Sequence, residues 1–344
     1  MACRKYEFDN LPVEAVQLFS QQHVDFFSSL AWYKNWIDTV LSNTEKAFFL
    51  TYEDSGKLKL ILPLKLQETN LTSLSNYYSP SFNILSCTTE YCRQDYQELF
   101  KGISDIEVSW NVLTLNAISK QQVFTLLADL KQVSLPSIPF FCFGNWYLEV
   151  NHRSFDQYFS TLSSRVKNTV TRKLKQFQHL NGTHIEIVTK GKGLEKAISE
   201  FQSIYALSWK DQETYPDFIS GLIRVAAEQN VLRLGIAYLD GVAIAAQLWI
   251  VADKTAYIYK LAYDEKYKKM SAGSILTATL MRHVIDIDKV ETVDYLSGDD
   301  AYKKEWMSHR RERWGIMIFN WRTWKGCLKM CNEFIRFYFK KYLL

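Results

Sequence analysis

The chain has 344 residues, of which 47% are hydrophobic and 15% aromatic, with only 6 Pro and 13 Gly. That is enough for two domains with sizeable cores, and it excludes a single small module, a collagenous chain and a disordered linker. Lys plus Arg number 41 against 37 Asp plus Glu, so the net charge of +4 is too small for the whole surface to coat nucleic acid, and any basic function must be local. Cys3, Cys87, Cys92, Cys142, Cys327 and Cys331 form no C-x-x-C pair and have no histidine close enough in sequence to complete a zinc module, so neither a metal site nor a disulfide framework is expected. The N-terminus mixes charges where a signal peptide needs an apolar run, and no stretch approaches the ~20 apolar residues of a spanning helix, which predicts a cytoplasmic chain.

In chain order, Phe26, Phe27, Leu30, Trp32, Tyr33, Trp36, Ile37 and Val40 recur at helical spacing and predict a buried helix. Two apolar runs, Ala47 to Tyr52 and Leu58 to Leu66, flank the turn-forming Glu53-Asp54-Ser55-Gly56 and read as a hairpin. A strand over Asp105 to Asn116 and a helix around Gln121 to Gln132 follow, before Pro136 and Pro139 break the pattern and mark the expected domain boundary. The second half opens with a strand, Asn145 to Val150, and a helix from about Ser154 whose Val166, Val170, Leu174 and Phe177 form one apolar stripe. After a strand at Thr183 to Val188 come two helices, roughly Gly193 to Lys210 and Asp217 to Gln229. Val231 to Leu239, Val242 to Ala252 and Thr255 to Asp264, joined at Asp240-Gly241 and Asp253-Lys254, predict a three-stranded antiparallel meander. A helix from about Gly273 to Asp288, a strand Thr292 to Leu296, a short helix near Ala301 and a strand near Gly315 to Asn320 complete the pattern. Each half has an early helix followed by a strand–turn–strand element, so the halves repeat one another coarsely.

The segment Lys266-Tyr267-Lys268-Lys269-Met270-Ser271-Ala272-Gly273-Ser274 joins a central strand to an amphipathic helix, so unpaired backbone N–H groups face out of the sheet. Such a terminus binds anions: Ser271 and Ser274 can cap it, Gly273 admits a ligand to the backbone, and Lys268 and Lys269 supply charge for phosphate. An ordinary capped helix after a solvated loop fits the same residues.

Downstream stand Ser297-Gly298-Asp299-Asp300-Ala301-Tyr302-Lys303 and Arg313-Trp314-Gly315-Ile316. With the strand–loop–helix at Ala272-Gly273 and the basic helix Arg165 to Lys175, these residues give the sequence a shape that resembles the GNAT acyltransferase superfamily. Within it, the chain is similar to the CelD-like and Fem-type branch built of two GNAT-like halves. Ala31-Trp32, Leu62-Pro63-Leu64 and Trp209 add to the likeness, which is close over residues 150–320. The loop departs from the usual Arg or Gln followed by two glycines, having Gly273 alone among lysines, and no coiled-coil arm is present.

The resemblance implies an α/β (α+β) fold of two GNAT-like domains, each a mixed, mostly antiparallel sheet flanked by helices: residues 1–140, an acyltransferase domain over 141–320, and a basic aromatic helix over 321–344. It implies transfer of an acyl (acetyl) group from acyl-coenzyme A, with no metal, to an amine or hydroxyl on a small molecule, glycan or peptide, such as a cell-envelope or polysaccharide precursor. Aminoacyl-tRNA-dependent peptidyl transfer ranks behind it, and a non-catalytic scaffold stands as a third reading. The superfamily's pyrophosphate cradle falls on Lys268, Lys269, Ser271, Ala272, Gly273 and Ser274. Its thiolate-protonating tyrosine falls on Tyr302, with Asp299 or Asp300 as base or acceptor anchor and Trp209, Tyr263 and Lys303 as substrate-binding residues. Without the resemblance, Tyr302 reads equally as a packing ring, and Asp299 or Asp300 as a helix N-cap.

Two basic segments stand apart. Arg165, Lys167, Arg172, Lys173 and Lys175 lie in a stretch without acids from Asp156 to Glu186, either a solvated face or a dock for coenzyme A phosphates, tRNA or an anionic glycan. Residues 321–344 carry six basic side chains against Glu333 alone, beside a stripe of Trp324, Leu328, Cys331, Ile335 and Tyr342. Either this helix contacts a membrane interface, or it packs back on the core.

Overall fold

The structure is a computed structural model that describes residues 2–21, 24–103 and 106–343, with side chains described up to Phe339. The chain runs β1 (Ala2–Tyr6), α1 (Val13–Phe19), α2 (Leu30–Val40), β2 (Glu45–Asp54), β3 (Lys57–Gln67), β4 (Asn70–Ser73), β5 (Leu85–Ser86), α3 (Arg93–Gly102), β6 (Val112–Ser119), α4 (Lys120–Gln132) and β7 (Ser137–Glu149). It continues through α5 (Phe155–Thr161), α6 (Ser164–His179), β8 (Thr183–Val188), α7 (Leu194–Ala206), α8 (Pro216–Glu228), β9 (Leu232–Leu239), β10 (Val242–Ala252) and β11 (Thr255–Tyr263). Then come α9 (Ala272–Asp286), β12 (Thr292–Ser297), α10 (Ala301–Trp306), β13 (His309–Phe319) and α11 (Trp324–Leu343).

Two compact units result, one of Met1–Phe143 with Glu312–Leu344 and the other of Gly144–Arg311. In the first, β1, β2 and β3 form an antiparallel meander, β4 follows, and β4 pairs in parallel with β6, beside which β13 runs antiparallel. In the second, β8, β9, β10 and β11 are antiparallel, β11 pairs in parallel with β12, and the 145–149 end of β7 lies antiparallel to β12. The expected coarse repeat is thus a shared strand order. Residues 312–319, expected with the second half, and the tail, expected as a separate helix, belong to the first unit, where β13 is in register with β6 from Arg313↔Ser119 to Phe319↔Val112.

Local chemistry accounts for the other differences. The helix expected from Ser154 is two helices, broken at Leu162, because Ser163 starts α6 afresh by accepting a hydrogen bond from the Val166 amide. Pro139 does not end the pattern but sits third in β7, near a strand start where proline is tolerated. The strand expected from Asp105 begins at a residue outside the described ones and is observed at Val112–Ser119.

The second unit's core puts Ile275, Leu276, Leu280, Met281 and Val284 of α9 against β9 and β10, all essentially unexposed. The helix comes this close because Gly235 has no side chain: a Cβ there would stand 2.9 Å from a Leu280 methyl. Each such large apolar side chain contributes ~1.5–3 kcal/mol of burial, so the position of the α9 N-terminus is set by packing along its whole length.

Candidate active site

β11 and β12 pair only from Thr255↔Thr292 to Tyr257↔Asp294, although β11 runs on to Tyr263 and β12 to Ser297. Two irregularities part them. Leu248 pairs with Lys260 and Trp249 with Ile258, so Tyr259 is an extra residue in β11. In β12 the register with β7 slips between Asp294 and Ser297, where Leu296 takes a left-handed φ of 57°. A non-glycine residue is held so only when its surroundings over-determine it.

Those surroundings are an ion pair between the buried Asp294 and the half-exposed Arg311. Asp294, 1% exposed, accepts hydrogen bonds from the Leu296 amide and from Asn145 Nδ2, both at 2.6 Å, and from the Arg311 guanidinium. Arg311 also donates to Asn145 Oδ1 at 2.6 Å and lies 4.7 Å over the Tyr147 ring. This network clamps the end of β12 to the 145–149 end of β7 and to residue 311 of β13.

Beyond the clamp the chain turns into α10, which carries Tyr302 and Lys303. Lys303 is 5% exposed; its ammonium donates to the Ser297 carbonyl, pairs with Asp300 Oδ2 at 3.3 Å and stands 5.9 Å over the Tyr295 ring. Burial pushes its pKa below the ordinary lysine value, while Asp300, Asp294 and Asp299 hold it up in part. Tyr302 packs edge-on to the buried Tyr295 at 5.7 Å and keeps 41% of its surface exposed. Desolvation of its hydroxyl, and then the charge of Asp300, push its pKa upward.

Across the gap, the loop after α7 and the end of β11 supply the facing wall. Trp209 and Tyr263 contact each other at 4.5 Å, Lys210 lies 5.7 Å over Trp209 and 5.4 Å over Tyr205, and Lys260 of β11 lies 5.3 Å over Tyr205 and pairs with Glu213 at 2.5 Å. Burial first, then the positive charge of Lys260, lowers the pKa of Lys210 to about 8; Lys303 lowers it further, and Glu213 and Asp300 oppose the shift. The cluster therefore holds three ammonium groups and two carboxylates, a net positive, partly desolvated site. Of the residues singled out from sequence, Trp209 and Tyr263 touch each other, and Lys210 next to Trp209 feels the charges of Lys303 and Asp300 on the side of Tyr302.

Asp299 is engaged differently. Arg310 grips it with two hydrogen bonds of 2.8 and 2.7 Å, Trp146 Nε1 donates at 3.1 Å, and Gly144 leaves it room, since a Cβ there would meet its oxygens at 2.3 Å. Arg310 keeps its carboxyl below the usual carboxylate range, so this group is a poor proton acceptor. Asp300 occupies the N-cap position of α10 without capping it, because its carboxylate is turned to Lys303.

Directly after Tyr263, Asp264 starts a 3-10 turn through Met270 and Ser271 takes a left-handed φ of 57° before α9. Ser271 makes no side-chain cap, contrary to the sequence expectation, because the left-handed backbone does the turning. Gln247, buried in β10, donates to the Gly273 carbonyl at 2.9 Å and to Thr277 Oγ1 at 2.8 Å, fixing the first turn of α9. Gly273 backs onto the Tyr263 ring, 3.4 Å from where a Cβ would lie. Lys268 pairs with Glu265 at 3.3 Å, and Lys173 of α6 donates to the Lys269 carbonyl at 2.7 Å, so the basic helix abuts the turn that leads into Ala272 and Ser274 at the start of α9. His309 stacks on Tyr147 at 5.3 Å. Among the described residues no cluster of His, Cys, Asp and Glu could hold a metal ion.

Sequence reasoning missed Lys210, Lys260, Glu213, Gln247 and the Asp294–Arg311 pair. Lys260 had a signal, as the only charge within Thr255–Tyr263, and so did Asp294, a lone acid in an apolar strand.

A parallel strand pair that parts beside a helix N-terminus defines the class as a GNAT-type fold. Residues 164–304 match the family model described as an acetyltransferase (GNAT) domain. Across both units the chain has the tandem, Fem-type form of that fold. It is similar to a crystal structure of FemX (11% identity, TM-score 0.64, 94% of this chain and 100% of that one). It is also similar to the L-PGS structure from Bacillus licheniformis (8%, 0.56, 93% and 94%), and to a tandem GNAT protein from the clavulanic acid biosynthesis pathway (8%, 0.53, 92% and 98%). Comparison with curated protein sequences finds no match.

Proposed function

We propose that the protein transfers an acyl group to an amine or hydroxyl acceptor in the gap between β11 and β12, with acyl-coenzyme A as donor. The observation that carries this reading is the buried Lys303 ammonium, which shares α10 and the Tyr295 ring with Tyr302, just past the point where the strands part. Attack of the acceptor on the acyl carbonyl forms a bond to carbon and places negative charge on oxygen, which Lys303 is positioned to stabilise in a partly desolvated site. As the carbon–sulfur bond breaks, the leaving thiolate takes a proton, for which the partly exposed Tyr302 hydroxyl is the group we assign. The proton released by an amine acceptor passes to Lys210, whose pKa of about 8 leaves part of it neutral. The pyrophosphate of the donor is read onto the α9 N-terminus with Lys268, Lys269 and Lys173. Trp209 and Tyr263 form the acceptor wall, suited to a small molecule or to a glycan or peptide of the cell envelope.

A second reading, aminoacyl-tRNA as donor, is favoured by the contact between the basic helix α6 and that loop, which continues the positive ridge beyond what one coenzyme needs. Calorimetric titration of acetyl-coenzyme A against wild type and Lys268→Ala/Lys269→Ala, run beside filter binding of total tRNA at two salt concentrations, separates the donors. A donor contacted through several phosphates loses affinity steeply with salt, at about −0.9 per phosphate on a log–log plot for duplex contacts. Absence of binding by either donor would remove the transferase reading and leave a scaffold.

A further inference from the structure

Helix α11 has two apolar faces, and only one is used. Met330, Phe334 and Phe337 pack on Val112, Ile138 and Phe319 of the first unit, and Gly326 fits under the Asn320 carbonyl, where a Cβ would stand at 2.1 Å. Roughly 140° around the helix at ~100° per residue, Trp324, Leu328, Ile335 and Phe339 follow one another at helical spacing and are 73%, 56%, 54% and 62% exposed. The stripe thus stays in water although the helix is docked.

Charge and shape beside the stripe indicate its occupant. Arg322, Lys325, Lys329 and Arg336 flank it against a single acid, Glu333, which bridges Lys329 at 3.1 Å and Arg336 at 3.2 Å; the local charge is +4 − 1 = +3. Lys340, Lys341 and Tyr342 of the tail lie outside the described side chains. Next to the first turns of the helix opens an apolar cleft of about 680 Å³ lined by Leu127, Pro136, Pro139, Trp321 and Met330, with Lys131 also at its wall. No described helix is long and apolar enough to cross a membrane. A helix with an aromatic stripe, a basic flank and an acyl-sized apolar cleft beside it fits the headgroup layer of a bilayer.

We propose that α11 docks the protein on an anionic phospholipid surface, with Trp324, Leu328, Ile335 and Phe339 entering the acyl boundary and Lys325, Lys329 and Arg336 meeting the headgroups. The stripe supplies the apolar contact and the flank selects anionic lipid; neither depends on the active-site reading.

The test is co-sedimentation of the full chain with phosphatidylcholine vesicles and with vesicles containing phosphatidylglycerol, together with light scattering of the free protein. Wild type is expected to bind the anionic vesicles at least tenfold more tightly than the neutral ones. Leu328→Glu/Ile335→Glu, at exposed positions, should lose at least tenfold in anionic-vesicle binding with an unchanged melting temperature. Lys325→Glu/Lys329→Glu should lose the preference for anionic lipid. Failure of wild type to bind, or binding by the Leu328→Glu/Ile335→Glu variant equal to wild type, overturns the proposal. A wild-type dimer that this variant splits, without vesicle binding, would assign the stripe to a second copy of the chain and equally overturn it.

Discussion

Lys210 offers a measurement that needs no substrate. Its pKa of about 8 against the ordinary 10.5 arises from burial first and then from Lys260. At pH 8 such an amine is about half neutral, whereas one at the ordinary value is neutral in ~0.3% of molecules, a ratio of roughly 150. Competitive acylation read by mass spectrometry from pH 7 to 11 should therefore give Lys210 a labelling midpoint near pH 8. Lys260→Met removes the second cause and should raise that midpoint without restoring it fully, since burial remains. Glu213→Gln removes an opposing charge and should lower it. The sign for stability follows from proton counting. A folded pKa below the unfolded one means the unfolded chain binds more protons between the two values, so this group's contribution to stability rises as pH climbs from about 8 towards 10.5, by at most about 3 kcal/mol. The stability of wild type relative to Lys210→Met should accordingly improve over that range in urea titrations. A wild-type midpoint near 10.5, or one unmoved by Lys260→Met, would refute the desolvated-cluster account.

Three further outcomes follow from the site. Tyr302→Phe keeps the ring on Tyr295 and removes one hydroxyl, so turnover should fall by ~10²–10⁴ while donor affinity in calorimetry is unchanged. Asp300→Asn removes the largest charge supporting the Lys303 ammonium, so the alkaline limb of the rate profile should move to lower pH; Asp299→Asn should leave that limb nearly in place and cost about 1 kcal/mol in urea unfolding, the scale of a half-exposed pair. Arg311→Met removes the charge partner of the buried Asp294 carboxylate, which keeps its bonds from the Leu296 amide and Asn145, and should cost about 1–3 kcal/mol, much of it recovered by adding Asp294→Asn.

What could be read in advance was periodic or local. The meander at 232–263 announces itself by alternation and two turns, and α9 by its apolar stripe, because both signals lie within a few residues. The tail helix was legible as apolar on a wide face, but which part of that face is covered depends on Phe319 and Ile138, far off in sequence. The same distance hid the network at β12: Asp294 meets Asn145 and Arg311 only after three strands are assembled, and no spacing rule connects them. Strands β1, β4 and β5 escaped notice because they are short and carry few apolar residues in alternation.

The repeat of strand order raises the question of why one unit alone should hold a site. In the first unit β4 pairs in parallel with β6, as β11 does with β12, so the two sheets offer equivalent positions for a strand–turn–helix. After β11 the chain makes one 3-10 turn and enters α9, leaving a helix N-terminus at the strand end. After β4 it instead runs irregularly from Leu74 to Cys92, interrupted only by β5, before α3 begins at Arg93. That segment is not a loose loop: Leu74, Tyr78, Phe82, Ile84 and Leu85 are all 5% exposed or less and serve as core. The position that in one unit presents free backbone N–H groups is in the other filled by apolar side chains, which favour no anion. The first unit therefore supports the fold and the tail helix, while the α9 N-terminus proposed for the donor, the buried ammonium and the parted strands all fall within residues 144–311.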